Sequence, residues 1–120
     1  MRKLVLLSIC WIVFSCGKEL PQLQGIDLKA WKADRGGCHG ERTSFIELVT
    51  SQKDLLKALD EMQIVELLGR PDQNELYTRK QKFYIYLMEP GPACASKKEK
   101  PKQLVIRFNA MGFAKEVYVE

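Results

Sequence analysis

The chain has 120 residues, 46% of them hydrophobic and 28% charged, with a formal net charge of +4 and a single histidine. That length bounds it to one small domain, and so mild a charge excludes the concentrated basic face that nucleic-acid binding needs. One histidine excludes a His-based metal cluster or a His pair for proton transfer.

Arg2 and Lys3 open the chain, Leu4 to Phe14 form an apolar stretch of eleven residues, and Val13-Phe14-Ser15-Cys16 closes it. A secretory signal has these parts in this order, with a small residue before the cut. Val13, Ser15 and Cys16 also satisfy the lipoprotein pattern of an aliphatic, two spacers and a Cys. Cys10 follows Ile9, a poor cleavage residue. Eleven helical residues rise about 16 Å, too short for a hydrocarbon core of about 30 Å. The expectation is a signal peptide over residues 1–15 and a lipid on Cys16. Several acyl chains there would make release from the bilayer negligible. Gly17, not Asp, follows the Cys, so the expected location is the outer membrane, on its periplasmic face. Loss of Arg2 and Lys3 leaves a charge of 4 − 2 = +2.

Residues 16–26, with Pro21 and little periodicity, read as a lipidated tether, and residues 27–120 as one domain. Removing the signal and the lipidated Cys leaves two cysteines, Cys38 and Cys94. In an oxidising compartment two such thiols most simply form a disulfide. The loop would span 94 − 38 = 56 positions, for which chain entropy gives roughly 4 kcal/mol. A small domain has a total margin of only about 5–15 kcal/mol.

Ile26 to Asp34 is expected to form a short helix anchored by Trp31 and ended by Gly36-Gly37. A second helix opens at Thr43 or Ser44, where Phe45, Leu48, Val49, Leu55, Leu56 and Leu59 recur at helical spacing. Asp60 restarts the pattern with a capping box to Gln63. Ile64, Leu67 and Leu68 form the buried face, Gly69 ends the helix in a left-handed conformation, and Pro71 prevents resumption. The two helices form a hairpin broken near Leu59-Asp60.

The period then changes to two. Phe83, Ile85 and Leu87 alternate with Tyr84, Tyr86 and Met88. Leu104, Ile106 and Phe108 alternate with Val105, Arg107 and Asn109. After the turn Asn109-Ala110-Met111-Gly112, Phe113 to Val119 returns as a third strand. The expected fold is α+β, a helical hairpin packed on one face of a three-stranded antiparallel sheet in the order ααβββ. The connection between the first two of these strands carries Lys97, Lys98, Lys100 and Lys102, a solvated charge run or a contact for lipid phosphates.

Asp60-x-x-x-Ile64-x-x-x-Leu68-Gly69-x-Pro71, Phe83-Tyr84-Ile85-Tyr86 and Leu104-x-Ile106-x-Phe108-Asn109-x-x-Gly112 together resemble the SmpA/OmlA family of outer-membrane lipoproteins. The resemblance covers roughly residues 55–120 and implies the same helix-helix-strand-strand-strand fold. It also implies an accessory role in an outer-membrane protein assembly complex or in envelope integrity. Where the family often has Gly-Met-Thr, this chain has Ala58-Leu59-Asp60. With that change, the Cys38/Cys94 pair and the Trp31 region, it reads as a divergent member. A similar layout occurs in β-lactamase-inhibitor proteins, so a secreted-type inhibitor or ligand-binding module is the alternative.

The residues point to no catalytic constellation. Cys38-His39 are adjacent and face one site poorly; a thiol enzyme would require one of the two cysteines to be free. The carboxylates are scattered, and Gly36-Gly37 lacks the following helix and Lys of a phosphate loop. No cofactor, metal, small-molecule substrate or nucleic acid is expected; the expected partners are the membrane, through the lipid, and an envelope protein complex. If Phe83, Ile85 and Leu87 pack under the helices, then Tyr84, Tyr86, Met88, Arg107, Asn109 and Tyr118 share the outer face as a partner-binding surface. Tyr, Met and Arg are enriched at interfaces. Periodicity alone leaves open which face the helices cover.

Overall fold

The computed structural model describes residues 19–77 and 81–120. The expected signal peptide and Cys16 lie outside these residues. The described fold is α+β, with three α-helices and a four-stranded antiparallel sheet.

Helix α1 spans Leu28–Ala33, where Asp27 Oδ1 accepts from the backbone N–H groups of Lys29 (3.1 Å) and Ala30 (3.2 Å). Its anchor, Trp31, is fully buried. The expected long second helix is interrupted. A 3-10 turn over Thr43–Phe45 leads into α2 (Ile46–Gln52), and another over Lys53–Leu56 follows it. Neither Thr43 nor Ser44 caps α2. The Thr43 hydroxyl donates to the Met88 carbonyl (2.6 Å) and the Ser44 hydroxyl to the Glu41 carbonyl (2.6 Å), so tertiary and local partners take the groups that a cap would use. The break before the next helix falls at Ala58, which has φ +68°.

Helix α3 (Glu61–Leu68) starts with the expected capping box: Gln63 N–H donates to Asp60 Oδ1 (2.8 Å), and Asp60 N–H donates to Gln63 Oε1 (3.0 Å). Gly69 ends it at φ +81°, ψ −174°. That is the extended, positive-φ region essentially reserved for glycine, and not the left-handed helical conformation expected.

The sheet is a meander of β1 (Gln73–Tyr77), β2 (Gln81–Leu87), β3 (Gln103–Phe108) and β4 (Ala114–Val119), in that order. It has four strands, one more than expected. Gln-Asn-Glu-Leu-Tyr carries no alternating apolar signal; β1 becomes a strand by pairing with β2, from Gln73 opposite Ile85 to Tyr77 opposite Gln81.

All three helices cover one face of the sheet. Trp31, Val49, Leu56, Ile64, Leu67 and Leu68 pack there with Tyr84, Tyr86, Met88, Leu104, Ile106 and Phe108. The expected faces are therefore reversed. Tyr84 is 7% exposed and Tyr86 and Met88 are fully buried, so these three do not form an outer binding surface. Register decides this: Tyr84 lies opposite Ile106 and Tyr86 opposite Leu104, whereas Phe83 lies opposite Arg107. Each tyrosine hydroxyl finds a partner under the helices. Tyr86 donates to the Gly69 carbonyl (2.8 Å) and Tyr84 to Glu61 Oε1 (3.3 Å). Such pairing removes most of the penalty for burying a phenol. Burial, the larger cause, pushes the Tyr86 phenol well above its ordinary value.

Candidate functional site

Strand alternation and the register give the uncovered face three cross-strand rows. Gln73, Ile85, Val105 and Tyr118 form the middle row. Glu75, Phe83, Arg107 and Glu116 form the row on one side of it. Leu87, Gln103 and Glu120 form the other, where Gln103 and Glu120 exchange backbone hydrogen bonds. Ile85, Leu87 and Val105 make a second, small apolar cluster sheltered by half-buried Phe83 and Tyr118. The result is a shallow concavity of about 600 Å³ with an apolar centre and a rim of glutamines and glutamates.

The rim is acidic and ordered. Arg107 Nη2 meets Glu116 Oε1 at 2.9 Å, and the hydrogen bond holds the Glu116 carboxyl below its ordinary value. Gln103 Nε2 donates to Glu120 Oε1 (2.9 Å). Burial first, then the Glu120 and Glu116 carboxylates, pushes the Tyr118 phenol upward. The centre of this face is thus apolar, and its edge carries Glu75, Glu116 and Glu120 with one arginine, Arg107.

Of the five residues expected to meet a partner, Arg107 alone lies on this open face. Asn109 instead builds the β3–β4 turn, its Oδ1 accepting from the N–H groups of Met111 and Phe113 at 3.0 Å each. Tyr118, which shared their expected face, does line the concavity.

The Leu87 end of the face is bounded by the loop that Cys94 closes. The Cys38 and Cys94 sulfurs lie 2.02 Å apart and form the expected disulfide, so neither is a free thiol. His39 is exposed beside Cys38. The two loops pack so closely that a Cβ on Gly37 would stand 2.5 Å from the Glu89 carbonyl oxygen. In the lysine connection, Glu89 binds the Lys98 ammonium and accepts from the Lys102 N–H (2.8 Å). The Lys98 hydrogen bond is the main cause holding the Glu89 carboxyl below its ordinary value.

A buried polar network positions the whole face, and sequence reasoning missed it. Arg42 is 1% exposed. Its Nη1 meets Asp72 Oδ2 at 2.6 Å, its Nε donates to the Trp31 carbonyl (2.8 Å), and Nη1 also reaches the Leu87 carbonyl (3.2 Å). The guanidinium sits 4.9 Å from the Trp31 ring centre. Asp72 in turn accepts from Gly36 N–H (2.9 Å) and Leu87 N–H (2.7 Å). Asp72 immediately precedes β1 and Leu87 ends β2, so the network ties the start of one strand to the end of the other. No local signal marks it: Arg42 lies in loop-like sequence, and Asp72 is 30 positions away.

Among the described residues no group of three or more His, Cys, Asp or Glu could hold a metal ion, and no helix is long and apolar enough to cross a membrane. Comparison with family models, with curated proteins and with solved structures returns no match.

Proposed function

We propose that this chain is a lipid-anchored protein of the bacterial outer membrane that works by binding. In this reading Cys16 carries the lipid, and the open face of the sheet meets a protein partner. Its role is that of an accessory or scaffold of an outer-membrane protein assembly complex, as the resemblance to the SmpA/OmlA family implies. The observation that carries the binding reading is the second apolar cluster. Ile85, Leu87 and Val105 sit on the face away from all three helices. They are themselves buried, and it is the half-buried rings of Phe83 and Tyr118 packed against them that offer aromatic surface to a partner. A polar rim around an apolar centre is the general anatomy of an interface.

The resemblance has separate support in the backbone. Ala58 adopts φ +68°, and Ala58 stands where the family often carries Gly, the residue that takes positive φ without penalty.

The test is affinity capture from detergent-solubilised membranes, comparing the wild-type chain with Phe83→Ala/Tyr118→Ala. The wild type is expected to recover a barrel-assembly complex and the double variant to lose it, with an unchanged far-UV circular dichroism spectrum. Equal recovery by both would refute the open face as the interface. In parallel, Cys16→Ser should abolish incorporation of labelled fatty acid; unchanged incorporation would refute the lipid anchor.

A further inference from the structure

We infer that the surface formed by α2 and the 3-10 turn after it lies against the phospholipid bilayer, and that Leu48 and Leu55 are its contact residues. The inference rests on the lipid-anchor reading above and adds an orientation to it.

The tether is clamped to this surface. Leu23 packs against the main core. Gln24 N–H donates to Gln52 Oε1 (2.6 Å), while Gln52 Nε2 donates back to the Gln24 carbonyl (2.8 Å). Gly25 lies against Leu48, whose Cδ1 would stand 3.2 Å from a Cβ added there. From Cys16 to Leu23 there are 23 − 16 = 7 residues, a reach of at most about 25 Å even when fully extended. A helix with its side chains is about 10–12 Å thick, so the open face of the sheet is a full layer further from the point where the chain leaves the fold. The α2 side, where the chain leaves the fold, is therefore the side nearest the anchor.

The chemistry of that side suits it. Leu48 is 37% and Leu55 43% exposed, and Leu20, on the tether itself, is 36% exposed. Leu48 and Leu55 each immediately precede a residue that packs into the main core, Val49 and Leu56, so both stand at the outer margin of the same packed surface. The charges between and beside them balance: Lys53 and Lys57 both lie 3.3 Å from Asp54, and Glu47 precedes Leu48. A neutral surface with protruding leucines has no electrostatic preference for anionic lipid. Its contact is apolar, at the depth of the headgroup–acyl boundary.

The experiment places one environment-sensitive fluorophore on an added cysteine at Leu48, at Leu55, or at Gln81 on the open face. Each variant keeps the Cys38–Cys94 bond and the Cys16 lipid, the latter checked by intact mass. The labelled lipoprotein is incorporated into vesicles of phosphatidylethanolamine with a minority of phosphatidylglycerol, with and without brominated acyl chains. The labels at 48 and 55 are expected to shift to the blue and to be quenched by bromine, and the label at 81 to do neither. Water-like emission at 48 and 55 on a chain whose mass shows the lipid would overturn the orientation while leaving the anchor intact. Quenching at 81 alone would overturn it as well, by placing the open face on the membrane. A mass without lipid would refute the anchor itself and the orientation with it.

Discussion

Replacing Arg42 with Met tests whether the buried network holds the domain together. The substitution keeps an unbranched apolar stem of similar reach and removes the guanidinium. Asp72 has only 6% of its side chain exposed, so its carboxylate would lose its cation with little water to replace it. Truncating one partner of a buried ion pair costs about 3–5 kcal/mol. Two features adjust this figure in opposite directions. Asp72 keeps the N–H groups of Gly36 and Leu87, which holds the cost down. The Trp31 and Leu87 carbonyls each lose an Arg42 donor; Trp31 keeps the Asp34 N–H at 3.2 Å, and each buried hydrogen bond lost costs about 0.5–1.5 kcal/mol. We expect a net loss of about 3–5 kcal/mol, a fifth or more of a typical margin of about 5–15 kcal/mol, and a melting temperature lower by at least about 12 °C at about 4–8 °C per kcal/mol. Urea unfolding followed by circular dichroism measures it. Arg42→Met with Asp72→Asn should lose less than the single variant, because no uncompensated charge remains. A loss below about 1 kcal/mol for Arg42→Met, or a double variant worse than the sum of the single ones, would refute the reasoning.

Gly69→Val should destabilise by at least about 1–3 kcal/mol, since a β-branched residue is forced to φ +81° and its Cβ would meet Lys32 Cγ at 3.1 Å; an unchanged urea midpoint would show that the helix end tolerates a side chain. Ala58→Gly should stabilise by up to about 1 kcal/mol, because relief of about 1–2 kcal/mol of left-handed strain at φ +68° exceeds the backbone entropy that Gly adds to the unfolded chain. A destabilised Ala58→Gly would mean that the backbone there is unstrained. Glu89 has its carboxyl held below the ordinary value of 4.5, so its contribution is fully present above that pH and is lost as pH falls through it toward the folded value. The stability difference between wild type and Glu89→Gln should therefore shrink on going from about pH 6 to about pH 3; a constant difference would show that the Lys98 and Lys102 contacts contribute nothing.

Much of this molecule is legible in one dimension. The capping box at Asp60-Gln63 and the helix stop at Gly69-Pro71 are set by residues within a few positions of one another, so local hydrogen bonding and backbone sterics suffice to predict them. The helix around Trp31, the three apolar strands and the β3–β4 turn follow likewise from periodicity and turn chemistry. The Cys38–Cys94 pairing follows from a count under the expectation that Cys10 belongs to a signal and Cys16 carries a lipid.

Tertiary structure decided the rest. The polar strand Gln73–Tyr77 has no pattern of its own and exists because β2 offers it hydrogen bonds. Arg42 and Asp72 find each other across 30 positions, a pairing that sequence spacing leaves unspecified. The candidate site turned on the same limitation. In Phe83-Tyr84-Ile85-Tyr86-Leu87-Met88 both alternating sets are large and apolar, so β2 alone could be turned either way. The choice was made by register: β3 sets Arg107 opposite Phe83, and a guanidinium on the sheet belongs on the side that water reaches. The tyrosines therefore went under the helices, where Gly69 and Glu61 accept their hydroxyls, and Phe83 and Tyr118 were left to shelter the open face.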